Sequence, residues 1–91
     1  MGKALLIVKH DVAEYDKWHA VYEEVEPLRQ QYGLLDASVW QNPNDSNDVT
    51  VLHSFPSVEQ AQGFADDPEL KDAMGRAGVA GPPRLEITTE A

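Results

Sequence analysis

Cysteine is absent from the 91-residue chain, which removes disulfides, thiolate metal ligands and cysteine nucleophiles together. Positive charge is scarce as well. Lys and Arg number 7 against 16 Asp and Glu, a formal net charge of −9. Such a surface repels a phosphate backbone or an anionic membrane, and no basic run exists to track either one. The expected partners therefore include no nucleic acid and no membrane. Long apolar runs are missing too. The longest, Ala4 to Val8, is far short of the roughly 20 residues that span a bilayer, and it lacks the length and cleavage site of a signal peptide. A cytoplasmic location is the expectation, and the missing cysteine is compatible with it.

Several catalytic signatures are also lacking. Gly75, Gly78 and Gly81 come late, before Pro82, and read as a connection instead of a phosphate loop. Ser38, Ser46, Ser54 and Ser57 have no nucleophile-elbow context. The acid clusters Glu23-Glu24-Glu26 and Asp66-Asp67-Glu69 read as solvated helix faces.

What is present orders itself as β-α-β-β-α-β. Lys3 to Lys9 is a strand apolar on both alternating sets, as in strands covered on both faces. Asp11 and Glu14 have capping-box spacing ahead of a helix. Trp18, Val21, Val25, Leu28 and Tyr32 recur in it every three or four residues. Pro27 predicts a kink inside that helix and Gly33 its end. A second strand follows over Leu35 to Gln41, and a dense turn signal at Asn42 to Asp48 leads to a third over Val49 to Phe55. Ser57 and Gln60 form another capping box. The helix it opens breaks at Asp67-Pro68, a short helix runs from Glu69 to about Ala77, Gly78 to Pro83 reads as a loop, and Arg84 to Thr89 is the last strand.

This order predicts a single α+β domain over residues 1–91 with a ferredoxin-like antiparallel sheet, spatial order 4-1-3-2, and both helices on one face. The opposite face would carry Leu5, Ile7, Trp40 and Leu52 among Thr50, Ser54 and Thr88. An apolar patch of that kind on a small domain points to a homodimer packed sheet to sheet.

The segments His10 to Trp18, Ser54 to Phe64, and Asp67 to Met74 followed by Gly78-Val79 resemble the antibiotic-biosynthesis-monooxygenase superfamily of dimeric α/β-barrel proteins. The resemblance implies the dimer. It also implies an enzyme of the monooxygenase or polyketide-cyclase type, acting without a bound redox cofactor on an aromatic or polyketide-like substrate. Other members are similar to haem-degrading enzymes or have no assigned reaction. Family members that use an Asn on the first strand with a Trp and a His or Arg later are not matched here. The first strand has no Asn, and Trp40 lies on the second strand.

The residues themselves offer one plausible region. His10 and His53 fall on the helix-facing side, and either imidazole could take a proton from a phenol or a carbon acid. Tyr22 would donate a hydrogen bond. Tyr15, Trp18, Phe55 and Phe64 would line an aromatic pocket between helices and sheet, with Arg76 and Arg84 as candidate rim charges. The plain alternatives stay open: hydrogen-bonded histidines at the core margin, and rings that are simply the core. His10 and His53 should sit about 13 Å apart along paired strands, too far to share a metal, so no metal site and no cofactor are expected. The functional readings are thus a cofactor-free cyclase or monooxygenase, a non-catalytic binding or assembly dimer, and a haem-binding protein. An open cavity of about 300 Å³ or more would favour the first.

Overall fold

The computed structural model describes residues 2–91, so only the first residue of the expected domain lies outside the described residues. Eight elements follow in order: β1 (Ala4–Val12), α1 (Tyr15–Glu24), α2 (Glu26–Gln31), β2 (Asp36–Asn42), β3 (Asp45–Phe55), α3 (Val58–Asp66), α4 (Pro68–Arg76) and β4 (Val79–Thr89). The four strands form one antiparallel sheet in the order β2-β3-β1-β4, the α+β ferredoxin-like arrangement that the element order predicts.

β1 alternates between the two layers. Ala4, Leu6, Val8, His10 and Val12 are buried beneath the helices, while Leu5 and Ile7 are half-buried on the open face and Lys9 and Asp11 are exposed. β3 presents Val49, Val51, His53 and Phe55 to the same buried side. Phe55, Phe64 and Leu6 are among the largest fully buried side chains. Each such side chain contributes about 1.5–3 kcal/mol by leaving water. On the open face Trp40 remains 59% exposed, with its indole Nε1 donating to Ser38 Oγ at 2.8 Å.

The first helix is divided in two. Its chain breaks at Val25, and Pro27 falls in the opening turn of α2, where a missing N–H costs nothing. In one continuous helix the Pro27 ring would collide with the carbonyl of Glu23. Gly33, at φ +81, ends α2 in the left-handed region. Ser57 caps α3, its Oγ accepting from the Gln60 N–H at 3.2 Å, and Asp67 caps α4 by accepting from the Glu69 N–H at 2.8 Å.

The turn expected over Asn42 to Asp48 contracts to Pro43-Asn44, since β3 begins at Asp45, opposite Asn42. Two further expectations are corrected. Asp11 does not cap α1, because β1 runs on to Val12 and Asp11 pairs with Asp48 on one side and Ala80 on the other. The helix start is satisfied from across the sheet instead: Asn47 on β3 accepts the Tyr15 N–H at 3.0 Å, and its Nδ2 donates to the Ala13 carbonyl at 3.3 Å. The second correction is at Gly78 to Pro83. This segment is no loop, since β4 begins at Val79, opposite Val12. The ladder slips between Lys9 and Asp11, where Gly81, Pro82 and Pro83 stand opposite His10. Glycine and proline read locally as punctuation, but at an edge-strand bulge both are tolerated.

Candidate functional site

Between the helix layer and the sheet lies a narrow, partly open hollow. Val8 and His10 of β1 and Val51 and His53 of β3 form its floor. Trp18, Tyr22 and Arg29 form one wall, with Phe64, Ala73 and Met74 on the other sides. Its volume is about 40 Å³, room for about three water molecules. That is well below the roughly 300 Å³ of an open small-molecule site. The cover is the Trp18–Tyr22 pair, stacked at 5.2 Å between ring centroids and 22° between planes, together with the half-buried Met74.

His53 is 4% exposed and packs between Phe55 and Phe64. Its Nδ1 lies 3.4 Å from the Leu6 carbonyl oxygen. A carbonyl can only accept, so this contact favours the tautomer with the proton on Nδ1, which leaves the Nε2 lone pair for the cavity. Burial lowers the imidazole pKa to about 4 against the opposing Leu6 carbonyl contact, and the nearby Arg29 and His10 add to the lowering. His53 is therefore a neutral hydrogen-bond acceptor at pH 7.

His10 is 6% exposed, 5.5 Å from Trp18 between ring centroids, and neither ring nitrogen has a hydrogen-bond partner. Its pKa is also lowered by burial, with Asp11 opposing. A buried polar group without a partner is uncommon and costs about 1–3 kcal/mol. The strand register places His10 opposite Val49 and His53 opposite Leu6, so the two imidazoles line one cavity from separate positions along the sheet. Among the described residues no group of three metal-ligating side chains is placed around one ion.

Arg29 is a charged cavity-lining side chain that the sequence reading missed. It lines the cavity with a side chain only 3% exposed. Its Nε donates to Glu26 Oε1 at 3.1 Å and its Nη2 to the Tyr22 carbonyl at 2.6 Å. That carbonyl, in the last turn of α1, also accepts the Val25 N–H at 3.2 Å, and the guanidinium adds a second bond there, placed favourably against the helix dipole. The available signal was spacing: Arg29 falls four residues after Val25, on the inward stripe of the helix. The rim charges that were expected lie elsewhere. Arg76 is exposed and pairs with Asp72 at 3.2 Å, and Arg84 is exposed on β4 beside Glu86.

Of the other expected lining residues, Trp18, Tyr22 and Phe64 reach the cavity, while Phe55 and Tyr15 do not. Phe55 is fully buried behind Phe64. Tyr15 packs outside, against Trp18 and His19. Burial pushes the Tyr22 phenol up, with Arg29 opposing, so Tyr22 keeps its proton and can donate.

No family model matches the chain, and no curated protein matches its sequence. Its fold, in contrast, has many counterparts among solved structures, and it is the fold of the antibiotic-biosynthesis-monooxygenase-like proteins. A candidate antibiotic biosynthesis monooxygenase from Bordetella bronchiseptica superposes with a TM-score of 0.83 at 13% identity, over 100% of this chain and 99% of the other. SnoaB, a cofactor-independent oxygenase from Streptomyces nogalater, gives 0.81 at 7% identity, over 100% and 95%. A further candidate antibiotic biosynthesis monooxygenase, from Chloroflexus aurantiacus, gives 0.73 at 22% identity, over 99% and 94%. At these identities the likeness is one of fold.

Proposed function

We propose that the protein is a small-molecule enzyme of the monooxygenase or polyketide-cyclase type, acting without a bound redox cofactor on an aromatic or polyketide-like substrate. The observation that carries this reading is the pair of buried neutral imidazoles lining one cavity, His10 with neither nitrogen partnered and His53 with only its Nδ1 against the Leu6 carbonyl. Satisfied core histidines would have their hydrogen bonds made internally. His53 takes the proton from an acidic O–H or C–H group through Nε2, Tyr22 donates to the substrate, and Trp18 and Phe64 hold the ring system. Tyr22 and Met74 swing outward to admit it. The fold shared with SnoaB is consistent with chemistry of this kind, and fold alone does not choose between cyclisation and oxygenation.

The same reading places the active unit in a dimer. Leu5, Ile7, Trp40 and Leu52 stay partly or largely exposed on the helix-free face, and a second copy packed there would cover them. The compartment proposed is the cytosol.

Proton transfer is testable without knowing the product. A polyketide-like β-diketone incubated in deuterated buffer should exchange its acidic carbon-bound hydrogen faster with the protein than without it, and His53→Gln should remove the difference. Exchange that survives in His53→Gln at the parental rate rules out His53 as the base.

A second reading has its own support. The cavity of about 40 Å³ suits a non-catalytic binding or assembly dimer whose rings are core. That reading gains if neither exchange nor ligand binding is found. Such a volume lends no support to haem binding, and mixing with haem should produce no Soret shift.

A further inference from the structure

Arg29 presents an imbalance that the proton-transfer scheme does not use. A guanidinium carries five N–H donors, and burying it without full compensation is costly. Its carboxylate partner Glu26 stands at the surface, 50% exposed. The hydrogen bonds use Nε and Nη2, and Nη1 has no partner among the described residues. The face of Tyr22, 4.0 Å below the guanidinium carbon, gives partial compensation at one side.

The rest of the cavity adds none. Its lining contains no carboxylate, and Arg29 is its single formal charge, beside two imidazoles and otherwise apolar or aromatic side chains. A protein of net charge −9 thus lines this space with a guanidinium whose one carboxylate partner, Glu26, 3.1 Å from both Nε and Nη2, lies outside the lining. In this low-dielectric space the attraction of Arg29 for an oxyanion is stronger than at the surface. An amine would meet the opposite.

We infer that the cavity takes its ligand as a small organic oxyanion, with the charged oxygen on the free Arg29 N–H groups and the apolar body against Trp18. This rests on the proposed function in treating the cavity as a ligand site, and it specifies the charge of what enters. The anion would also sit near the His53 imidazole and raise its proton affinity, so that ligand binding makes the neutral imidazole a stronger base.

A purely structural Arg29, strapping the α1–α2 break through the Tyr22 carbonyl, predicts no such selectivity. The distinguishing probes are acetate and acetamide, which match the hollow as it stands, and benzoate and benzamide, which require Tyr22 and Met74 to move. Binding is read from Trp18 fluorescence in a Trp40→Phe background. Each carboxylate should bind about tenfold more tightly than its amide. Arg29→Gln should bring the ratio to about one, and Arg29→Lys should keep most of it. Equal affinities in the parent, or a ratio that survives Arg29→Gln, overturn the inference while leaving the cavity a ligand site. Absence of binding by all four overturns both readings. If Arg29→Gln fails to fold, the His53 titration followed by NMR decides. The carboxylates should raise its midpoint and the amides should not, and no difference overturns the inference.

Discussion

The Arg29 guanidinium lies 4.0 Å from the centre of the Tyr22 ring and also donates to the Tyr22 carbonyl at 2.6 Å. One residue therefore grips another by both ring and backbone across the break that Pro27 makes. The same contact closes the helix end and brings a cation to the cavity wall. The outward movement of Tyr22 proposed for substrate entry has to leave the backbone part of this grip in place, which a side-chain rotation does.

The depressed His53 pKa has a definite consequence for stability. The folded value of about 4 lies below the ordinary 6.5, so between these values the unfolded chain binds more protons than the folded one. Stability is complete above about pH 6.5 and falls as the pH drops toward 4. At about 1.4 kcal/mol per pKa unit the loss reaches about 3 kcal/mol. Urea unfolding at several pH values should show this slope, and His53→Gln should flatten it. A slope unchanged in His53→Gln would assign the effect to other groups, His10 first.

His10 should lower stability as it stands. Both nitrogens are buried without partners, so His10→Leu, which fills similar space without them, is expected to be neutral or stabilising by about 1 kcal/mol at pH 7. A loss above about 1 kcal/mol would mean that the cavity supplies His10 with hydrogen bonds. A gain in stability accompanied by loss of deuterium exchange would tie this residue to function.

Two helix glycines should respond in opposite senses to alanine. A Cβ at Gly63 would come within 2.8 Å of the Tyr32 ring, which is fixed by its hydroxyl bond to Asp67 and by edge contact with Phe64. Gly63→Ala should therefore cost about 1–3 kcal/mol. Around Gly75 a Cβ would meet nothing within 4 Å, and Gly75→Ala should gain about 0.5 kcal/mol from the reduced freedom of the unfolded chain. Thermal melts of the two variants check the signs directly.

Charge placed on the helix-free face should separate the proposed dimer. Ile7→Glu and Leu52→Glu, at positions paired across β1 and β3, are expected to give monomers by sedimentation and a lower melting temperature. An unchanged sedimentation coefficient would remove the sheet face as the interface.

Much of the architecture could be read in the residues because its signals are local or periodic. Alternation in Val49 to Phe55 gave the buried face of β3, the wholly apolar Ala4 to Val8 gave a central strand, and Ser57 gave a helix start that the Gln60 N–H contact matches. The misreadings arose where a distant strand decides. Asp11 looks like a cap until β4 pairs with it, and Gly78 to Pro83 looks like a loop until β1 extends to meet it. The cavity was legible in its histidines and in Trp18. It was not legible in Arg29, whose charge argues for the surface until the break at Pro27 turns it inward. Phe55 failed for another reason: alternation sets the face of a strand but not which ring on that face borders empty space.

The bulge opposite His10 also governs what kinds of association the molecule admits. β4 is an outer strand of the sheet, and an unpaired strand edge invites continuation by a neighbour's backbone. Pro82 and Pro83 interrupt it with adjacent residues that lack an amide hydrogen. A foreign strand arriving along β4 would lose its ladder partway and could not propagate into a continuous fibril. The β4 edge is therefore a poor template for a neighbour's strand.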